Sequence, residues 1–170
     1  MAETLHITEA NAKREGGYLV IDSIDHDGDV VCESNLIVRG YLDCRGNLDC
    51  RGNLVCGGYL VVHGRLIWSH LSMPQATELV LCGGMVPASW QKDYWSERLS
   101  LSLAGCYDKI VADLTPKIPQ LLQRTDLAPI ERFTIESHQP ERLQAAKDRA
   151  AAIAEKREAK SKEASVKQPA

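Results

Sequence analysis

The chain has 170 residues and a net charge of -3 at pH 7, with 20 Lys and Arg residues against 23 Asp and Glu residues. A charge balance this close to neutral argues against a nucleic-acid-binding surface, and the length suffices for one hydrophobic core with appendages. No apolar run approaches the roughly 18 residues of a membrane span, and the N-terminus lacks a basic segment followed by an apolar one. We therefore expect a cytoplasmic protein without a membrane span.

A repeat of six residues over positions 24–70 is the most regular feature of the chain. In each unit the first, third and fifth residues share parity, so in an extended chain they point to one side, which we take as the inside. The fifth position is usually glycine, which allows a corner between short strands. The first position is aliphatic in every unit: Ile24, Val30, Leu36, Leu42, Leu48, Leu54, Leu60 and Leu66.

Three short strands joined by corners make a coil of 18 residues, which predicts a triangular β-solenoid over residues 17–85 after an N-terminal arm of residues 1–16. A helix does not fit, because a period of six with strict parity departs from 3.6 and glycine recurs too often. The period leaves the handedness open. The register predicts these stacks: Val30 on Leu48 on Leu66, Ile24 on Leu42 on Leu60 and Leu36 on Leu54 inside, with Asn35 on Asn53 and Tyr41 on Tyr59 outside.

Four of the six cysteines, namely Cys32, Cys44, Cys50 and Cys56, occupy the third position of the repeat, which Val38 and Val62 fill elsewhere. We interpret these cysteines as small buried hydrophobic residues. A disulfide between Cys32 and Cys50, which the register stacks, and a metal site are the alternatives. No CxxC pair or adjacent histidine completes a metal site.

The repeat ends after Trp68, and we expect residues 86–138 to form a mixed α/β cap over the C-terminal end of the solenoid. Trp90, Tyr94 and Trp95 cluster in this segment, where they either close the open end or bind a partner. Residues 98–104 alternate and predict a strand. Residues 139–160 are rich in helix formers and predict a charged, solvated helix, with docking of a partner as the alternative, and residues 161–170 predict a disordered tail.

The repeat carries no recognisable chemistry. None of the five histidines (His6, His26, His63, His70 and His138) has a catalytic partner that the sequence can place, and phosphate-binding glycine motifs are missing. Asp25, Asp27 and Asp29 point to one side and suit either calcium or, as we prefer, a polar first coil. We therefore predict a protein without enzymatic activity, and assign no catalytic, cofactor-binding or metal-ligating residues.

The run Leu-x-Val/Cys-x-Gly between Leu36 and Gly64 resembles the bactofilin, or polymer-forming cytoskeletal, family. This resemblance implies a triangular, right-handed β-helix with an apolar core, end-to-end polymerisation without nucleotide, and a scaffolding role. It covers about a third of the chain. The long C-terminal part departs from the family pattern, since bactofilins resemble a rod with short tails, and a cap there would oppose polymerisation.

Outward residues change character along the repeat. In the second coil they are Ile37, Asp43 and Asp49, whereas in the third they are Val55, Val61 and Ile67. Outward aliphatic residues on three faces favour a cover, either the C-terminal half of the chain or another subunit. We expect the C-terminal half to cover two faces and a homodimer contact to cover the third. The predicted interface residues are Tyr41, Val55, Tyr59, Val61, Ile67, Trp90, Tyr94 and Trp95.

Three functions follow as hypotheses. The first is a bactofilin-like scaffold that self-associates, as a homo-oligomer, or organises other proteins. The second is a small phage-type or accessory inhibitor that binds a protein on a β-solenoid platform. The third, which we rank last, is a hexapeptide-repeat acyltransferase, because the expected longer array and histidine-bearing loop are not found in the sequence.

Overall fold

The computed structural model describes residues 2–72, 78–87 and 107–167 of the chain. A parallel β-solenoid comes first, and short helices and one long helix follow it, which confirms the predicted mainly β fold class. The described strands are β1 (Leu5–His6), β2 (Lys13–Glu15), β3 (Tyr18–Ile21), β4 (Ile24–His26), β5 (Val30–Cys32), β6 (Asn35–Val38), β7 (Leu42–Cys44), β8 (Leu48–Cys56), β9 (Leu60–Val62), β10 (Leu66–Ser72), β11 (Leu79–Leu81) and β12 (Met85–Pro87). The described helices are α1 (Tyr107–Leu114), α2 (Ile118–Leu121), α3 (Pro129–Glu136) and α4 (Pro140–Lys167), with a 3-10 turn (Thr115–Lys117) between α1 and α2.

The strands form three faces, because each coil returns to the same face after one turn. Face 1 contains β1, β5, the first part of β8, the first part of β10, and β12. Face 2 contains β3, β6 and the second parts of β8 and β10, and β2 pairs with β3 in antiparallel orientation at its N-terminal end. Face 3 contains β4, β7, β9 and β11.

The predicted 18-residue register is confirmed. On face 1, Leu48 pairs with Val30 on one side and with Leu66 on the other. All three side chains are completely buried. The other predicted inner stacks, Ile24 on Leu42 on Leu60 and Leu36 on Leu54, are present in the same register.

The predicted outer ladders are also present. The Asn53 N–H donates to Asn35 Oδ1 at 2.8 Å, so a side chain of one coil satisfies the backbone of the next. The Tyr41 and Tyr59 rings stack with centroids 5.0 Å apart and planes 18° apart. Coils also approach closely at the corners, where a Cβ on Gly58 would lie 2.7 Å from the carbonyl oxygen of Gly40. Glycine at this corner therefore allows adjacent backbones to meet.

The core cysteines are free thiols inside the solenoid. Cys32, Cys44, Cys50 and Cys56 are all completely buried, as the core-packing interpretation predicts. Burial raises the pKa of Cys44 to about 11, because the thiolate loses solvation there. These residues therefore act as apolar side chains at the third repeat position.

We expect Cys50→Val to change stability little, because the repeat itself places valine at the equivalent positions Val38 and Val62. A swap of similar size in a packed core costs less than about 1.5 kcal/mol. Urea unfolding of the two proteins, with and without a reducing agent, measures this. A large drop in the urea midpoint of the unmodified protein on addition of the reducing agent would contradict the free-thiol assignment.

Two expectations for the C-terminal part need correction. Helix α4 begins at Pro140 and continues to Lys167, through most of the segment expected to be a disordered tail. It is not fully solvated either, since Ala150 and Ile153 are 5% and 6% exposed against face 3. Trp90, Tyr94, Trp95 and the predicted strand over 98–104 lie outside the described residues. No helix in the described segments is long and apolar enough to cross a bilayer.

Candidate interaction surfaces

The outer surface of face 3 changes from charged to aliphatic along the solenoid axis. Its outward column contains Asp25, Asp43, Val61 and Val80 in successive coils, as the strand register requires. An amphipathic element that lies along the axis can therefore meet acidic groups at one end and apolar groups at the other.

Helix α4 is that element. Ala150 and Ile153 contact a cluster formed by Val61, Val80 and Cys82. Ala146, Ala150 and Ile153 follow the spacing of one helix face, and two of them are alanines, whose small side chains allow the helix to lie close to the sheet. The prediction that the C-terminal half covers outward aliphatic residues is therefore confirmed for Val61, which is completely buried.

The acidic end of the column pairs with Arg157, one further turn along the same helix face. Arg157 Nη1 donates to Asp43 Oδ2 at 2.7 Å, and Nη2 contacts Asp25. The guanidinium carbon also lies 4.6 Å from the centroid of the Tyr41 ring, within cation–π distance. The alternation of residues along the strand predicts a solvent-exposed side chain at Asp43. This residue is only 3% exposed, because α4 covers it.

A histidine completes this cluster without forming a reactive site. His63 Nε2 lies 3.3 Å from Asp43 Oδ1, an oxygen that has no hydrogen-bond partner among the described residues. Cys82, next to β11, is the nearby thiol, and burial raises its pKa, so the reactive thiolate is disfavoured. In the described segments no group of three or more His, Cys, Asp or Glu residues is arranged to hold a metal ion. The ion pairs of Arg157 with Asp25 and Asp43 instead stabilise the packing of α4 on face 3.

The C-terminal end of face 1 is closed by two consecutive side chains. In β12, the outer edge presents the N–H and C=O of Met85, because the ladder to β10 uses its neighbours. The Met85 N–H donates to Ser137 Oγ at 3.2 Å, and His138 Nε2 lies 3.0 Å from the Met85 carbonyl oxygen. We call Ser137 and His138 the end cap.

Backbone geometry next to the end cap depends on Gly84. This glycine has a φ of 75°, a conformation that other residues rarely adopt. A Cβ at this position would also lie 2.5 Å from Cε1 of His138. The glycine therefore both turns the chain into β12 and makes room for the imidazole ring.

The N-terminal end of face 1 is closed in a similar way. Leu5 and Ile7 donate their N–H groups toward β5, so the backbone of His6 faces outward at the end of the solenoid. Asn11 Nδ2 donates to the His6 carbonyl oxygen at 2.8 Å, and Asn11 Oδ1 accepts from the Thr8 N–H at 2.9 Å. A side chain therefore occupies the outward carbonyl that another strand would otherwise use.

The predicted interface residues are distributed over different environments. Tyr41, Tyr59 and Val61 lie under or beside α4, so this chain already covers them. Val55 on face 2 and Ile67 on face 1 are half-buried and belong to none of the apolar clusters of the described residues. Tyr41 also lies outside these clusters, but Arg157 of α4 lies over its ring.

Sequence reasoning missed the residues that attach the C-terminal helices. In the sequence, Ser137 and His138 suit only a weak cap before the predicted helix, and Arg157 falls within that charged, solvated helix. The spacing of Ala150, Ile153 and Arg157 was the available signal, since it places one small, one aliphatic and one basic residue on a single helix face.

The described residues define the class of this protein as a short parallel β-solenoid with side-chain-closed ends on face 1 and a helix along face 3. Comparisons with protein-family models, with curated proteins and with solved structures find no match.

Proposed function

We propose that this protein is a non-enzymatic β-solenoid scaffold that binds other proteins, including its own copies, through its sides rather than its ends. The closure of both ends of face 1 carries this proposal. An open parallel sheet end presents unpaired N–H and C=O groups that favour stacking on a second solenoid. Here Asn11 satisfies one such group at the first strand, and the end cap satisfies two at the last strand.

The side faces support the other half of the proposal. The outward column of face 2 contains Val20, which is already buried, followed by the half-buried Ile37 and Val55 in successive coils. Aliphatic side chains in a row on a flat parallel sheet suit a protein partner, because their burial removes apolar area from water. Face 3 illustrates the same principle within the chain, since α4 binds there through aliphatic contacts and ion pairs.

Sedimentation velocity and negative-stain electron microscopy of the intact protein test the proposal. We expect a monomer or small oligomer over a wide concentration range, and no filaments. If the intact protein self-associates through a side face, Val55→Asp or Ile67→Asp should reduce the mass of the oligomer measured by sedimentation. Regular filaments from intact protein would contradict the proposal and support end-to-end assembly of the bactofilin type.

A truncation provides the matching positive control. Removal of all residues after Pro87 removes Ser137 and His138 and leaves the outer edge of β12 unpaired. We expect this variant to aggregate or polymerise, because the edge of β12 is then exposed and the loss of α4 also uncovers Val61 and Val80 on face 3. A truncated protein that stays monodisperse would show that the end cap does not prevent association.

A further inference from the structure

The end cap uses a buried histidine where a neutral donor would suffice. His138 is 3% exposed, and its ring lies against Gly84 at the start of β12. Because the Met85 carbonyl accepts only a hydrogen, the contact at 3.0 Å requires a proton on Nε2. In the closed structure Nδ1 is then the nitrogen that can gain a further proton.

The charged residues that line the cavity beside this ring, among those that the structure describes, are both basic. His138 lines a cavity of about 590 Å³ with residues from the solenoid corners, α1, the 3-10 turn and α4. Its charged members are Arg65 from the corner before β10 and Lys147 from α4. The polar members Asn47, Thr115 and Gln144 are uncharged. Among the described residues that line the cavity, no carboxylate is available to stabilise an imidazolium.

The protonated ring is therefore disfavoured in the closed end. Burial lowers the pKa of His138, and the Arg65 charge lowers it further, while the hydrogen bond to Met85 acts in the opposite direction. An imidazolium retains its Nε2 proton, so protonation does not itself remove the hydrogen bond. The cost arises because a positive charge must remain buried and near the positive charge of Arg65.

We propose that the end cap is an acid-sensitive closure: uptake of a proton by His138 at Nδ1 releases Ser137 and His138 from the outer edge of β12 and opens the C-terminal end of the solenoid. Opening gives the imidazolium access to water and exposes the N–H and C=O of Met85. Helices α3 and α4 join at the end cap, so their connection to the solenoid loosens at the same point. This inference is independent of the proposed scaffold function, since the end can open whether or not a side face binds a partner.

The direction of the pH effect follows from proton linkage. In the open form His138 is solvated and titrates near an ordinary pKa of about 6.5, whereas the closed form takes up the proton less readily. The open form therefore binds more protons, and acidification below that pKa favours it. If the closed form stays neutral, the opening equilibrium increases roughly 30-fold between pH 7.5 and 5.0.

Hydrogen exchange of the full-length protein, with rates corrected for the intrinsic effect of pH, tests the closure. The peptides to follow cover residues 79–87 and 129–140, with residues 42–56 as an internal reference inside the solenoid. His138→Gln retains an N–H donor at the place of Nε2 and does not titrate. His6→Gln makes the same substitution at an exposed site and serves as the matched control.

We expect protection of both end peptides to fall by at least tenfold from pH 7.5 to 5.0 in the unmodified protein and in His6→Gln, with the reference peptide unchanged. In His138→Gln the protection should not depend on pH. Constant protection in the unmodified protein, or an equal fall in His138→Gln, would overturn the proposal. If His138→Gln does not fold, NMR titration of the unmodified protein decides: the proposal requires a His138 midpoint below about 6.5 together with loss of Met85 amide protection, and a midpoint at or above this value overturns it.

Discussion

Leu48→Asp is expected to abolish folding. Leu48 is completely buried in β8 between Val30 and Leu66, so the substituted carboxylate would lie in an apolar column with no partner. An unpaired buried charge costs several kcal/mol, and the lost leucine burial adds about 2 kcal/mol. Domains of this size have only about 5 to 15 kcal/mol of total stability. Circular dichroism and urea unfolding should therefore show no cooperative transition.

The matched control places the same change on the other side of the same sheet. Ile37 is half-buried and points outward on face 2, beside Val55. Ile37→Asp should fold cooperatively with a modest loss of stability, because its carboxylate can reach water. Soluble, cooperatively folded Leu48→Asp protein would refute the assignment of an inside and an outside to the repeat.

The solenoid could be predicted from the sequence because equivalent positions of successive repeats share one environment and are occupied by similar residues. The same position of the repeat is leucine at Leu36, Leu42, Leu48 and Leu54. The assignment of that position to the inside therefore depends on several units and not on one. The 18-residue register follows from the triangular coil, and Asn35 with Asn53 then stack without further information. This part of the fold depends on contacts between equivalent positions, which periodicity encodes.

The contacts of the C-terminal helices could not be predicted, because nothing repeats there. Asp43 has the parity of an exposed residue, and only the path of α4 across face 3 buries it. Arg157 lies 114 residues from Asp43 in sequence, and Ser137 lies 52 residues from Met85. Helix α4 has few large apolar residues, yet alanine at 146 and 150 allows close packing against face 3 without them.

On the proposed function, the closed ends of face 1 and the covered face 3 restrict where a partner can bind. Asn11 and the end cap occupy outward backbone groups at the two ends, and α4 occupies face 3. Faces 1 and 2 retain half-buried aliphatic residues at Ile67 and Val55. On the proposed function, the side chains that terminate the sheet on face 1 are the feature that distinguishes this short solenoid from a polymerising rod.

Arg157→Ala is expected to destabilise the protein far more than Arg149→Ala, although both arginines belong to α4 and each pairs with carboxylate. Asp43 has a side chain only 4% exposed, and Arg157 donates to its Oδ2 at 2.7 Å. Removal of Arg157 leaves this buried charge without its arginine partner and with only His63 at 3.3 Å, which costs about 3 to 5 kcal/mol unless the helix detaches first. Glu78, which pairs with Arg149, is 41% exposed and can be solvated instead.

Urea unfolding of the two single variants measures this difference, and Asp43→Asn in the Arg157→Ala background identifies its cause. The double variant should recover much of the lost stability, because the neutral amide is less costly to bury than an unpaired carboxylate. Hydrogen exchange should show in parallel that Arg157→Ala exposes residues 140–167 while strands such as β8 stay protected. Equal, small effects of the two arginine substitutions would show that α4 is held by its contacts with Val61 and Val80 alone.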